Sequence, residues 1–162
     1  FDVGSIDQWV REVKRTPVPG GFSEMEVRNI LLVLLRDERV CCFELVEIHT
    51  FSNACWPIAG IKTAYPNKGL GVIWVDDHAD LHCPYTSPSG NVPGMPLATA
   101  LHEDNTVCQN NQPEEETIWH WNEMKGSNKR VLPKDLVFIG VRSTEVPEQE
   151  IIKRYNIPNI TV

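Results

Sequence analysis

The densest group of residues that could do chemistry follows an apolar run near the middle of the chain. Asp76, His78 and Asp80 come directly after residues 71–75, a continuous apolar run of the kind found in central parallel strands. Because side chains alternate along an extended segment, these three can point the same way. Carboxylate oxygens and an imidazole nitrogen suit a divalent ion of the manganese, iron or zinc type. An exposed polar turn that binds no metal is the alternative, and the pattern leaves both open.

Strands alternating with helices must position this group, and that order predicts a parallel sheet with helices on both faces. Open parallel sheets bind ligands at the carboxyl ends of their strands, which is where the acidic turn falls. Residues 8–15 fit either a short helix or an extended loop, and residues 103–130 are predicted to be a long surface insertion with some helix. We predict strands at 1–3, 41–48, 71–75, 136–141 and 159–162, and helices at 23–37, 55–64 (broken at Pro57), 95–102 and 148–155.

The composition limits the class of protein. A chain of 162 residues with 41% hydrophobic residues fits one compact folded domain, 1–162. Its formal net charge of -7 argues against nucleic acid as a partner, because phosphate binding requires a basic face. Its five cysteines show no regular spacing, which favours reduced thiols and a cytoplasmic protein. No apolar run approaches the length of a membrane-spanning helix, so we expect no membrane partner.

Several motifs in register resemble the arginase, or ureohydrolase, family. They are VIWVDDHAD at 72–80, SPSGNVPGMP at 87–96, FIGVR at 138–142 with Glu145 and Glu148 after it, FDVGSID at 1–7, TPVPGGF at 16–22 and ELVEI at 44–48. Residues 1–50 resemble the C-terminal part of the family and residues 70–162 its middle part. The resemblance therefore implies a circularly permuted and truncated arginase, or a piece spanning the junction of two tandem copies.

The resemblance also implies a fold. The predicted strands correspond to a contiguous part of the arginase sheet, which gives an α/β, three-layer αβα domain. Its sheet would be mainly parallel, with about five strands in the order 2-1-3-4-5, and Asp2 and Asp76 would lie where the strand order reverses. The truncation would leave an open sheet edge, so we expect a possible homo-oligomer.

A site is implied residue by residue. By resemblance, Asp76 and Asp2 bridge up to two manganese ions, Asp80 binds one ion and His78 the other. Asp80 and Glu47 would be the catalytic carboxylates, with Glu47 paired to a guanidinium group of the substrate. Residues that would contact the polar end of the substrate, together with Glu47, are Ser89, Asn91 and Glu145.

The sequence also departs from the family pattern. Gly4 stands where a ligating aspartate is expected, and Pro93 stands where a proton-carrying histidine is expected. His82 replaces an asparagine; it either substitutes for a lost ligand or is solvated or faces a helix. Two functions therefore remain open. One is an impaired hydrolase that releases urea from a guanidino or amidino compound such as arginine or agmatine, and the other is an inactive binding or assembly module.

Overall fold

The computed structural model of the protein describes residues 24–37, 39–44, 51–90 and 94–161. The predictions made for residues 1–3, 8–15 and 45–48 lie outside these ranges. So do three of the residues expected in the site, Asp2, Glu47 and Asn91.

Three parallel strands form the sheet in the part of the chain that the structure describes. They are β1 (Val72–Val75), β2 (Leu136–Ile139) and β3 (Asn159–Ile160), in the order β1-β2-β3. These are the third, fourth and fifth predicted strands, and they lie in the predicted order. The α/β class with a parallel sheet is thus confirmed.

The strand predicted at 41–48 is wrong over its first four residues. Residues 41–44 are not in a strand, and Cys41 and Cys42 are exposed. An apolar run becomes a strand only where it finds a neighbouring strand and a buried face, and this tertiary context overrides local preference.

Five α-helices accompany the sheet in the described ranges: α1 (Glu24–Arg36), α2 (Phe51–Ala64), α3 (Pro96–Leu101), α4 (Glu115–Lys125) and α5 (Val146–Tyr155). Pro57 lies inside α2, so the predicted break there is wrong. A proline removes one backbone donor and bends the helix, but the flanking turns keep their own hydrogen bonds. Helix α5 begins two residues earlier than predicted, because Glu145 and Glu148 form a capping box around its first turn.

The main core lies on one face of the sheet. Leu136 and Phe138 of β2 are fully buried, and Val72 and Trp74 of β1 pack against the same cluster. Helices α2, α3 and α5 contribute side chains to this cluster, among them Ile58, Leu97, Leu101 and Ile151. The described helices that join this core therefore cover the face formed by the even-numbered residues of β1.

The stretch 103–130, which is predicted from the sequence to be a surface insertion, also contributes to a second buried cluster. Trp121 of α4 is fully buried and packs with Cys83, Met95 and Ala98. Its Nε1 donates a hydrogen bond to Oδ1 of Asp104 at 2.6 Å. The sequence of α4 does not indicate that the helix packs in a core, because the helix is mostly polar and only Trp121 and Lys125 are buried.

Candidate metal centre

The turn after β1 brings together three side chains that can bind a metal ion. Asp76, Asp77 and His78 each offer a ligand atom, and these atoms all lie within 4.8 Å of one another. The Nδ1 atom of His78 is 3.0 Å from Oδ1 of Asp77 and 3.5 Å from Oδ1 of Asp76. The backbone N–H of His78 also donates to Oδ1 of Asp76 at 2.9 Å, which holds that carboxylate against the turn. The arrangement supplies two carboxylates and one imidazole at the carboxyl end of a parallel strand.

The end of β2 holds this turn in place. The carbonyl oxygen of Asp77 accepts the backbone N–H groups of Arg142 at 3.0 Å and Ser143 at 2.8 Å. Nη2 of Arg142 donates to Oδ2 of Asp77 at 3.2 Å. Gly140, which directly follows β2, has φ +79°, a conformation that favours glycine and lets the chain turn there. The turns after β1 and β2 are therefore bonded to each other through both backbone and side chains.

Asp80 lies outside the group of three but close to it. Burial, together with the negative charges of Asp76 and Glu148, raises the pKa of Asp80 to about 7, although His78 acts in the opposite direction. Its backbone is left-handed, with φ 50°, and its carbonyl oxygen accepts the N–H of Leu97 at the start of α3. A nearby cation would relieve the cost of charging this carboxylate. The role of Asp80 as a ligand stays a prediction.

Sequence reasoning missed Asp77 as a member of the group. Alternation along an extended segment points Asp76, His78 and Asp80 one way and Asp77 the other, but the chain turns here. The hydrogen bond from the His78 amide to Asp76 and the left-handed Asp80 replace that extended geometry. One feature of the sequence could have indicated Asp77 as a member of the group, namely that it is a second carboxylate directly beside Asp76.

His82 faces the start of α5 and not the group around His78. The residue is 8% exposed, and its Nε2 lies 3.5 Å from Oε2 of Glu145 and 3.7 Å from Oε2 of Glu148. Its Nδ1 lies 3.2 Å from Oγ1 of Thr86. Glu148 is itself buried and accepts the N–H groups of Leu81 and Glu145. Of the two interpretations of His82, the structure supports the helix-facing one, and it places Glu145 beside this histidine.

Ser89 is exposed and lines a cavity of about 690 Å³ between residues 84–90 and the region of α4. Asn111, His120 and Trp121 line its other side. Neither the three residues of the Asp76–His78 group nor Glu145 is among its lining residues. Ser89 therefore lines this cavity, and Glu145 does not.

The relationship of this chain to known proteins agrees with the geometry. The family model described as "Arginase family" matches residues 52–162, which include all three strands and the whole Asp76–His78 group. The chain belongs to the arginase family.

Relatives in the arginase family share about a third of their residues with the chain over the aligned parts. An arginase of Entamoeba histolytica is 36% identical over 105 residues, which are 64% of this chain and 30% of that protein. An arginase of Bacillus subtilis is 33% identical over 141 residues, covering 81% of this chain and 43% of that protein. The chain thus spans less than half the length of these relatives.

Solved arginase structures superpose on about two thirds of the chain. The Bacillus caldovelox enzyme matches with a TM-score of 0.54 and 34% identity, over 68% of this chain and 32% of that one. The Entamoeba histolytica enzyme, solved in complex with L-ornithine, matches with a TM-score of 0.55 and 34% identity over 69% and 33% of the two chains. Within the described ranges no helix has the length and apolarity needed to cross a membrane.

Proposed function

We propose that this chain is an arginase-type, metal-dependent hydrolase that cleaves a C–N bond of a guanidino or amidino compound and releases urea. The observation that carries the proposal is the Asp76–Asp77–His78 group, which lies at the carboxyl end of β1 in a chain of the arginase family. Two carboxylates and an imidazole in one turn are poorly explained by packing, because Asp76 and His78 are exposed.

The proposed cofactor is manganese, with up to two ions. The donor set fits, because carboxylate oxygens and imidazole nitrogens are ligands that a divalent manganese ion accepts. Asp76, His78, Asp80 and Asp2 would hold the ions. When bound, such ions supply a water molecule of lowered pKa that can act as a nucleophile at neutral pH.

The remaining proposed residues bind and orient the substrate. Glu47 pairs with the guanidinium group through a charge-assisted contact, and Asp80, which is also one of the proposed ligands, is the second catalytic carboxylate. Ser89, Asn91 and Glu145 contact the polar end of the substrate. Arginine and agmatine are the proposed substrates; the L-ornithine bound to the Entamoeba histolytica relative supports a linear ligand of this type.

The direct test measures urea released from arginine and from agmatine by the full chain with added manganese. Three proteins are compared: the unchanged chain, Asp76→Ala and Asp37→Ala, the last being a control at a position near the end of α1. We expect urea release by the unchanged chain and by Asp37→Ala, and a loss of at least about 100-fold in Asp76→Ala. No urea from either substrate at saturating manganese would refute the hydrolase.

The second candidate is an inactive binding or assembly module, which Gly4 and Pro93 favour. Neither residue can supply the carboxylate or the imidazole that the family pattern has there. Loss of a general acid or base alone typically costs about 10²–10⁴-fold in rate. Manganese-stimulated turnover would exclude this candidate.

Three further predictions accompany the proposal. We expect a homo-oligomer, and a monomer by light scattering at high protein concentration would count against it. The single domain over 1–162, with its segments in permuted order, and the cytoplasmic location also stay predictions.

A further inference from the structure

The loop that carries Ser89 is closed at its base by two backbone hydrogen bonds. The carbonyl oxygen of Asp80 accepts the N–H of Leu97 at 3.1 Å, and the N–H of His82 donates to the carbonyl oxygen of Gly94 at 2.9 Å. Ser89 itself is exposed. The loop therefore begins close to a proposed metal ligand, Asp80, and extends outwards to a residue that is proposed to contact the substrate.

The first part of this loop, residues 83–87, is a tight and buried turn, which we call the inner limb. Thr86 and Ser87 donate their backbone N–H groups to the carbonyl oxygen of Cys83, at 3.0 and 2.9 Å. Oγ1 of Thr86 accepts the N–H of Cys83 at 3.2 Å. These three residues are at most 3% exposed. Because the inner limb uses these N–H groups within itself, its other carbonyl oxygens need donors from another segment.

Residues 110 and 111, which lie between α3 and α4, supply those donors. The N–H groups of Asn110 and Asn111 both donate to the carbonyl oxygen of Tyr85, at 2.9 and 3.0 Å. Nδ2 of Asn111 donates to the carbonyl oxygen of Pro84 at 3.3 Å and also to that of Ser87, 24 residues earlier in the chain. A single side chain therefore bridges two carbonyl oxygens of the inner limb and fixes its curvature.

Asn111 is also close to Ser89 along this path. Both residues line the cavity of about 690 Å³ described above. Ser87, whose carbonyl oxygen Asn111 binds, precedes Ser89 by two residues, and two residues of backbone span at most about 7 Å. A change in the position of Ser87 is therefore passed on to Ser89.

We propose that Asn111 is a positioning residue, which holds the loop that carries Ser89 and thereby sets how tightly the polar end of the substrate binds. This inference rests on the proposed function, in which Ser89 contacts that end of the substrate. Because Asn111 holds the loop and not the Asp76–Asp77–His78 group, it acts on substrate affinity and not on turnover. The stretch 103–130 then has a role in binding besides its part in the second buried cluster.

Hydrogen–deuterium exchange of the full chain, read by mass spectrometry, tests whether Asn111 holds the loop. Asn111→Asp keeps the size of the side chain but replaces the donating amide group with a carboxylate, which repels the two carbonyl oxygens. Asn111→Ala removes the donor without adding a charge. Asn110→Asp is the matched control, because it makes the same change at the exposed neighbouring position.

We expect exchange within residues 85–90 to be at least about 10-fold faster in Asn111→Asp than in the unchanged chain, because buried carbonyl groups lose their donor. The increase should be smaller in Asn111→Ala and absent in Asn110→Asp, and β1 and α5 should exchange as before in all variants. If Asn111 only filled space, Asn111→Ala would be the more disturbed of the two. That reversed order, or unchanged exchange in Asn111→Asp, would overturn the proposal.

Calorimetric titration with L-ornithine, the ligand in the Entamoeba histolytica structure, measures affinity without turnover. On manganese-loaded protein we expect binding at least about fivefold weaker in Asn111→Asp and unchanged in Asn110→Asp; where urea is released, KM should rise equally while kcat stays within about twofold. Unchanged affinity beside faster exchange, a fall in kcat alone, or no L-ornithine binding by the unchanged chain would overturn the proposal. L-ornithine binding without urea release would refute only the hydrolase.

Discussion

Asp77 contacts both Arg142, in the turn after β2, and the candidate metal ligand His78. Its Oδ2 accepts a hydrogen bond from Nη2 of Arg142 at 3.2 Å, while its Oδ1 lies 3.0 Å from Nδ1 of His78. Arg142 therefore holds the carboxylate that faces the imidazole. Ligating histidines almost always direct their second ring nitrogen to a carboxylate or carbonyl group, which fixes the ring.

Asp77→Ala should weaken manganese binding without abolishing it. Loss of the carboxylate frees the His78 ring and leaves Arg142 as an unbalanced positive charge near the ion. We expect about 10–100-fold weaker binding by calorimetry on metal-free protein, the range typical of a lost partner of a ligand. Asp76→Ala should show no measurable binding. Equal affinities of Asp77→Ala and the unchanged chain would show that Asp77 only pairs with Arg142.

The sequence predicted β1 and the acidic turn because a continuous apolar run that ends in carboxylates has few other structural explanations. The same reasoning could not place Trp121, which is buried against Cys83, Met95 and Ala98 and donates a hydrogen bond to Asp104, 17 residues earlier in the chain. Nor could it show that Asp77 joins His78, because the direction of a side chain in a turn depends on the backbone angles there. Local pattern therefore predicted the strands, and contacts between distant segments decided the details of the site.

Asp104→Ala should destabilise the fold strongly. Oδ1 of Asp104 accepts hydrogen bonds from Nζ of Lys125 at 2.5 Å and from the Trp121 indole, and the Lys125 side chain is only 5% exposed. Removal of the carboxylate leaves a buried ammonium group without its counter-charge. We expect the free energy of unfolding to fall by about 3 kcal/mol in urea denaturation.

Two further variants test that explanation. Asp37→Ala removes a carboxylate that pairs with the exposed Arg39, and its urea denaturation midpoint should stay close to that of the unchanged chain. The double variant Asp104→Ala, Lys125→Met removes both charges of the pair and should recover part of the loss. An equally unstable double variant would argue that the packing around Asp104, and not the unpaired charge, is responsible.

Glu103 should make the fold sensitive to acid. Burial alone would raise the pKa of Glu103, but hydrogen bonds from the Tyr155 hydroxyl at 2.7 Å and the Asn105 amide at 2.8 Å, with the charge of Arg154, lower it overall. A carboxylate with a lowered pKa stabilises the native state above its unfolded pKa, and this stability is lost as the pH falls through the native value.

The measurement compares thermal unfolding of the unchanged chain and Glu103→Gln between about pH 3 and pH 7, a window that spans the unfolded pKa of a glutamate near 4.3. We expect the unchanged chain to be the more stable at pH 7 and the difference to shrink as the pH falls. Glu123→Gln, at an exposed position of α4, serves as the control and should follow the unchanged chain. A difference that stays constant with pH would contradict the role of the Glu103 charge.

His82→Asn should leave manganese binding intact. Nε2 of His82 faces the carboxylates of Glu145 and Glu148, and the residue is not part of the Asp76–Asp77–His78 group. Three histidine-to-asparagine variants give a direct comparison by calorimetry: His78→Asn, His82→Asn and His120→Asn, the last at an exposed position of α4. We expect binding to be lost in the first and to change by no more than about threefold in the other two, since a group outside the ligands and their partners has little effect on affinity. A loss of more than about tenfold in His82→Asn alone would instead make His82 the replacement for a missing ligand.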